Sequence, residues 1–107
     1  MMFKIFRRNA IDFDSLLEEF KNTDNAYLID VREIEEYAQG HVPTSINIPL
    51  SQIDKIEKVV KNKDSSLYVY CLSGARSRNA VSFLKSKGYT NVINLGGINS
   101  YHGEIER

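Results

Sequence analysis

Hydrophobic positions in this chain switch repeatedly between two patterns, unbroken apolar runs and apolar residues recurring every three to four positions. The runs read as strands and the recurrences as helices. Asp12 reads as a helix N-cap, with Ile11 before it and Leu16 after it as a hydrophobic staple. Leu16 and Phe20 then share one helix face. Tyr27-Leu28-Ile29-Asp30-Val31 suits a buried strand, and Ile34, Tyr37 and Ala38 mark a short helix closed by Gly40. Ile46-Asn47-Ile48 reads as a short strand that stops at Pro49. Ser51 is expected to cap a helix with a buried stripe of Ile53, Ile56 and Val60. Leu67-Tyr68-Val69-Tyr70 is a further strand, and it delivers Cys71 at its carboxyl end. A longer helix follows to about Lys87, with Ala80, Val81 and Leu84 facing inward and Gly88 ending it. Val92-Ile93-Asn94-Leu95 is the last strand, before Gly96-Gly97.

Strands alternating with helices predict an α/β fold of three layers, a mostly parallel sheet with helices on both faces. Ligands of such sheets bind beyond the carboxyl ends of the strands. Cys71 stands at that location.

The 107 residues, 42% hydrophobic, suit one domain spanning 1–107 with a core that needs no metal or disulfide staple. One cysteine excludes an intramolecular disulfide. Met1–Arg8 is too short and interrupted for a signal peptide, and no apolar run reaches the roughly 18 residues of a membrane span. A cytoplasmic monomer without membrane or nucleic-acid partners is the expectation. Net charge is zero but unevenly spread. Residues 1–64 hold twelve acids and nine bases, whereas Ser65–Gly103 holds no acid but keeps Arg76, Arg78, Lys85 and Lys87. Cys71 therefore lies in a locally positive stretch expected to attract anions.

The segment Cys71-Leu72-Ser73-Gly74-Ala75-Arg76-Ser77 has the makings of an anion cradle. Small residues let successive main-chain N–H groups turn toward one centre, and Gly74 can take the positive φ this needs. The next helix adds unpaired N–H groups and the positive end of its dipole. Arg76 can add its guanidinium fork. An ordinary thiol with a pKa of about 8.5 is only roughly 7% ionised near pH 7.4, and a two-unit drop, about 2.7 kcal/mol, makes most of it thiolate. This reading requires a thiol that titrates low and is not sealed inside the core.

Across almost its whole length the chain resembles the rhodanese domain family. The family's active loop, a cysteine, four residues and an arginine, is matched by Cys71 to Arg76. Leu28-Ile29-Asp30-Val31-Arg32-Glu33, Glu36-Tyr37, Gly40-His41-Val42-Pro43 and Ser45-Ile46-Asn47-Ile48-Pro49 match in order. So do Gly88-Tyr89, Val92 and Leu95-Gly96-Gly97. Tyr101 stands near a position where the family commonly has tryptophan. The resemblance implies a sheet of about five strands and a sulfurtransferase with Cys71 as catalytic nucleophile. Leu72, Ser73, Gly74, Ala75, Arg76 and Ser77 would bind the substrate, with Asp30 and Arg32 in a supporting polar network and Glu36 as partner of Arg32. Related phosphatases have five residues in this loop, so the four here favour sulfur over phosphate or arsenate chemistry. The alternative from another class is a binding or regulatory module that kept the fold without turnover. No cofactor is implied, and the ligand spacing of a metal site is lacking. His41 reads as a turn residue held by backbone bonds, His102 as exposed, and Arg78 as a steering charge. The expected partners are a small anionic sulfur donor and an external thiol or sulfur-carrier protein, because no second cysteine can resolve a persulfide.

Overall fold

The computed structural model describes residues 12–107. The Ile11–Leu16 staple and the reading of Met1–Arg8 lie outside the described residues. In chain order the elements are α1 (Phe13–Lys21), β1 (Ala26–Asp30), α2 (Ile34–Gln39) and β2 (Ile46–Asn47). A 3-10 segment (Leu50–Lys55) then runs into α3 (Ile56–Val59). They are followed by β3 (Ser66–Cys71), α4 (Ala75–Ser86), β4 (Asn91–Gly97) and a 3-10 turn (Ile98–Ser100).

The strands form one parallel sheet in the order β2-β1-β3-β4. That is four strands among the described residues rather than about five. The four strands expected from the apolar runs are the four observed, and among the described residues the further pairing is an isolated antiparallel bridge between His41 and Glu106. The chain leaves β1 for one neighbour and returns to the other, so the carboxyl ends of β1 and β3 border a switch point. Crevices at such points are where α/β sheets bind ligands.

Alternation along β3 divides the core in two. Leu67, Val69 and Cys71 face one cluster, with Ile29, Ile53, Ile56, Val60, Ala80 and Leu84 from the α3 and α4 side. Tyr68 and Tyr70 face the other, with Phe13, Leu17, Leu28, Val42 and Leu95 on the α1 side. Burial on both faces explains why β1 and β3 lack a polar side. Tyr101, in the expected tryptophan position, packs on this second cluster with its ring 5.5 Å from Phe13.

Three local expectations change. Leu16 and Phe20 are only partly buried, and Phe13 and Leu17 lead the inward face of α1. Ser51 caps nothing: it lies within the 3-10 segment, where Pro49 holds the cap position without a side-chain bond. The stripe of Ile53, Ile56 and Val60 is nevertheless buried. Ile34 is 60% exposed, so α2 exists without a buried apolar face. Its start is instead fixed by reciprocal bonds between Glu33 and Glu36, a capping box.

Tyr70 ties the second core to the loop after α2. Its buried hydroxyl accepts from Val42 N–H at 3.1 Å and lies 3.0 Å from Ser45 Oγ. Burial, with the charge of Asp30, pushes its ionisation well above the ordinary tyrosine value. Tyr70→Phe leaves the Val42 N–H unpaired and is expected to cost about 1–3 kcal/mol in urea unfolding. A change under half a kcal/mol contradicts this role.

Candidate active site

Cys71 ends β3 on the α4 side of the sheet, and the chain turns at once into the helix. Gly74, at φ 106° and ψ −14°, is the N-cap residue of α4 and has no side chain to cap with. The cysteine supplies the cap. Its Sγ accepts from Gly74 N–H at 3.0 Å and from Ser77 N–H at 3.3 Å, while the Gly74 carbonyl begins the helix by accepting from Arg78 N–H. A sulfur in this position meets N–H groups that the helix cannot satisfy itself, and its anion meets the positive end of the dipole.

Two opposing effects set its ionisation. Burial raises the thiol's pKa, while hydrogen bonds from the Ser77 hydroxyl and from the Ser77, Gly74 and Ser73 N–H groups lower it. The bonds win, and the thiol lies below its ordinary value.

The floor of the loop is β4. Val69 pairs with Asn94 but Tyr70 pairs with Gly96, so Leu95 is an extra residue and β4 bulges beside the site. Gly96 takes φ 96°, and its N–H donates to Asn94 Oδ1 at 2.8 Å. The bulge brings Gly97 opposite Cys71, so close beneath the loop that an added Cβ would collide with the Leu72 carbonyl. That carbonyl also accepts from Asn99 N–H at 3.2 Å. The second glycine of the pair is thus a packing requirement.

Arg76 is placed differently from the sequence expectation. Its two terminal nitrogens donate to the two carboxylate oxygens of Glu36, at 2.7 and 3.0 Å, across the switch point. The guanidinium fork is engaged by a carboxylate rather than pointed into the amide ring, and the local positive charge is largely cancelled. Glu36 correspondingly partners Arg76 and not Arg32. Its carboxyl is pulled down to about 2, chiefly by the Arg76 hydrogen bonds, against the cost of burial. A carboxyl depressed on folding contributes its full stability above the ordinary carboxylate value of 4.5, and that contribution declines as pH falls below it and is lost once pH has passed about 2.

Arg32 bonds both oxygens of Asp30 and also donates to the Gly40 carbonyl at 2.8 Å. Asp30 is fully buried and Arg32 is 4% exposed. Pairing is what makes these charges tolerable at the end of β1. They sit beside the site as scaffold. His41 stacks on Tyr37 and its Nδ1 lies 2.8 Å from the Tyr37 carbonyl, while His102 is exposed and bonded to Asp14. Arg78 is exposed on α4.

The thiol is covered. Cys71 is 1% exposed, although Leu72, Ser73 and Ala75 of the loop above it are exposed. The structure thus departs from the expectation of an accessible thiol: Cys71 is part of the buried cluster on the α4 side, and a reagent reaches it only if the loop moves. A cavity of about 470 Å³ adjoins that loop, lined by Leu72, Arg32, Glu36, Gly40, Ile105 and Arg107 among others. A larger one of about 820 Å³, between α1 and Val42–Thr44, contains none of the loop residues. Size does not locate the chemistry here; the sulfur does.

Sequence comparison matches residues 12–104 to the description "Rhodanese-like domain". The chain belongs to the rhodanese-like domain family. A "Sulfurtransferase" of Allochromatium vinosum is 37% identical over 90 residues, 83% of this chain and 82% of the relative. A "Thiosulfate sulfurtransferase" of Escherichia coli is 44% identical over 71 residues, 65% of this chain and 68% of the relative. The solved structure "rhodanese with anions from E. coli" superposes with a TM-score of 0.72 at 37% identity, covering 77% of this chain and 98% of that one. This rhodanese-like chain has no helix, among the described residues, long and apolar enough to cross a membrane.

Sequence reasoning missed Asn94, which joins the β4 bulge to the hydroxyl of Ser77 at 2.8 Å. An asparagine inside an apolar strand was the available signal. It also missed the Arg76–Glu36 pair, forty residues apart, which no local pattern announces. Gly97→Ala is expected to lift the loop off β4 and move the iodoacetamide-labelling midpoint of Cys71 upward toward the ordinary thiol value of about 8.5. An unchanged midpoint would show that the glycine floor does not hold the ring.

Proposed function

We propose that the protein moves sulfane sulfur, from thiosulfate or a persulfide donor to an external thiol or cyanide, through a persulfide on Cys71. The observation carrying this reading is the Cys71 sulfur seated on the Gly74 and Ser77 N–H groups at the mouth of α4. The four-residue spacing from Cys71 to Arg76 and the relative named a thiosulfate sulfurtransferase support it.

In the first step the thiolate attacks the outer sulfur of thiosulfate. A Cys71 S–S bond forms, the donor S–S bond breaks, and its electron pair leaves with sulfite. The charge of the persulfide then rests on the outer sulfur, within reach of the N–H groups of Leu72 to Ser77. In the second step an external thiolate or cyanide takes that outer sulfur and the electron pair returns to Cys71. No proton need be abstracted at either step when the thiol is already ionised, so no histidine base is required. Arg76, paired with Glu36, keeps a carboxylate from repelling the anionic donor. Entry of the donor requires the exposed layer Leu72–Ala75 to part.

Incubation with thiosulfate followed by intact-mass measurement tests the first step. Wild-type protein is expected to gain one sulfur, and Cys71→Ser none. A wild-type chain that stays unmodified while its thiol is alkylable favours the binding-module reading, and turnover by Cys71→Ser overturns the mechanism. Arg76→Ala leaves the Glu36 carboxylate uncompensated and is expected to lower kcat/KM for thiosulfate about tenfold, or about 1.4 kcal/mol. Adding Glu36→Gln should recover much of that loss; no recovery would mean that Arg76 itself binds the donor.

A further inference from the structure

Ser77 is fully buried and has one hydroxyl proton. Three acceptors surround it: Asn94 Oδ1 at 2.8 Å, the Gly74 carbonyl at 3.1 Å and Cys71 Sγ at 3.4 Å. Asn94 decides which of them receives the proton. The same Oδ1 lies 2.8 Å from Gly96 N–H. An N–H can only donate, so the atom facing it must be the amide oxygen and not the nitrogen. That oxygen then takes the Ser77 proton as well. Ser77 Oγ is left presenting a lone pair to the sulfur, which suits a neutral thiol donating its S–H to Ser77.

A thiolate has no proton to give. A lone pair facing it is repulsive, whereas a hydroxyl turned toward it makes a charge-assisted bond. Ionisation of Cys71 therefore requires the Ser77 hydroxyl to rotate from Asn94 to the sulfur. Asn94 Oδ1 keeps the Gly96 N–H in either setting and is never left without a donor. The rotation strands no buried group.

We propose that Asn94 is a positioning residue that sets how readily Cys71 ionises, by holding the Ser77 hydroxyl away from the sulfur in the thiol form. This rests on the reading of Cys71 as the nucleophile and extends it to a residue on the opposite strand. Within the reaction the hydroxyl faces the thiolate before attack. It returns to Asn94 once the charge has moved to the outer persulfide sulfur, one bond of about 2.05 Å further away.

A mutant cycle read by the pH midpoint of Cys71 alkylation tests the proposal. With Asn94→Ala the thiol form loses its best hydroxyl acceptor and falls back on the Gly74 carbonyl. The midpoint is expected to drop by about half a pH unit, about threefold more thiolate at a fixed pH below it. Ser77→Ala should raise the midpoint, and in that background Asn94→Ala should no longer lower it, any shift left being that of the lost Gly96 bond alone. An equal shift with and without Ser77, or no shift with Ser77 present, overturns the proposal. Should Asn94→Ala not fold, Asn94→Asp keeps an oxygen for Gly96 N–H. It should raise the midpoint more with Ser77 present than without, and equal rises overturn the idea. The thiosulfate adduct is scored separately on wild-type protein. Its absence counts against sulfur transfer, while the midpoint pattern still decides the part played by Asn94.

Discussion

The structure around the site is organised by one interaction, the capping of α4 by the sulfur of Cys71. Gly74 and Ser77 direct N–H groups onto Sγ at 3.0 and 3.3 Å. A helix start normally borrows an oxygen for this purpose. A sulfur in its place is drawn toward the ionised form by the same groups that hold the helix in register, so stability and reactivity have a common source. Burial opposes ionisation, and the hydrogen bonds outweigh it.

The rest of the fold can be understood as support for that contact. Alternation along β3 aims Cys71 at the α4 side, and the β4 bulge inserts Leu95 so that Gly97 lies under the loop. The switch point lets the segment after β1 bring Glu36 against Arg76. Asp30 and Arg32 fix the end of β1 beside it through a buried pair. The covering of Cys71 follows from the same geometry, since a loop tight enough to converge its amides on one atom also closes over that atom.

Much of this was legible in the sequence, because much of it is local. The strands of Tyr27–Val31 and Leu67–Tyr70 are apolar runs, and the cysteine–glycine–helix sequence encodes its own turn. The α4 stripe of Ala80, Val81 and Leu84 has helical spacing. What failed was non-local or sat at element ends. Ile34 fits a helical apolar spacing yet faces solvent, because the capping box and not burial holds α2. Ser51 looks like a cap but is absorbed into a 3-10 segment begun at Pro49. Arg76 looks like a free anion binder in the sequence because the acid that engages it comes from another crossover. Asn94 has the pattern of an ordinary strand residue because its partners, Ser77 and Gly96, meet it only once the bulge has formed.

Main-chain donors at the mouth of α4 favour the ionised form of this one sulfur. Since the chain has a single cysteine, the thiolate's ultraviolet absorbance can be titrated directly, with Cys71→Ser protein as the blank. The midpoint should lie clearly below the ordinary thiol value of about 8.5. A midpoint at or above that value would contradict this.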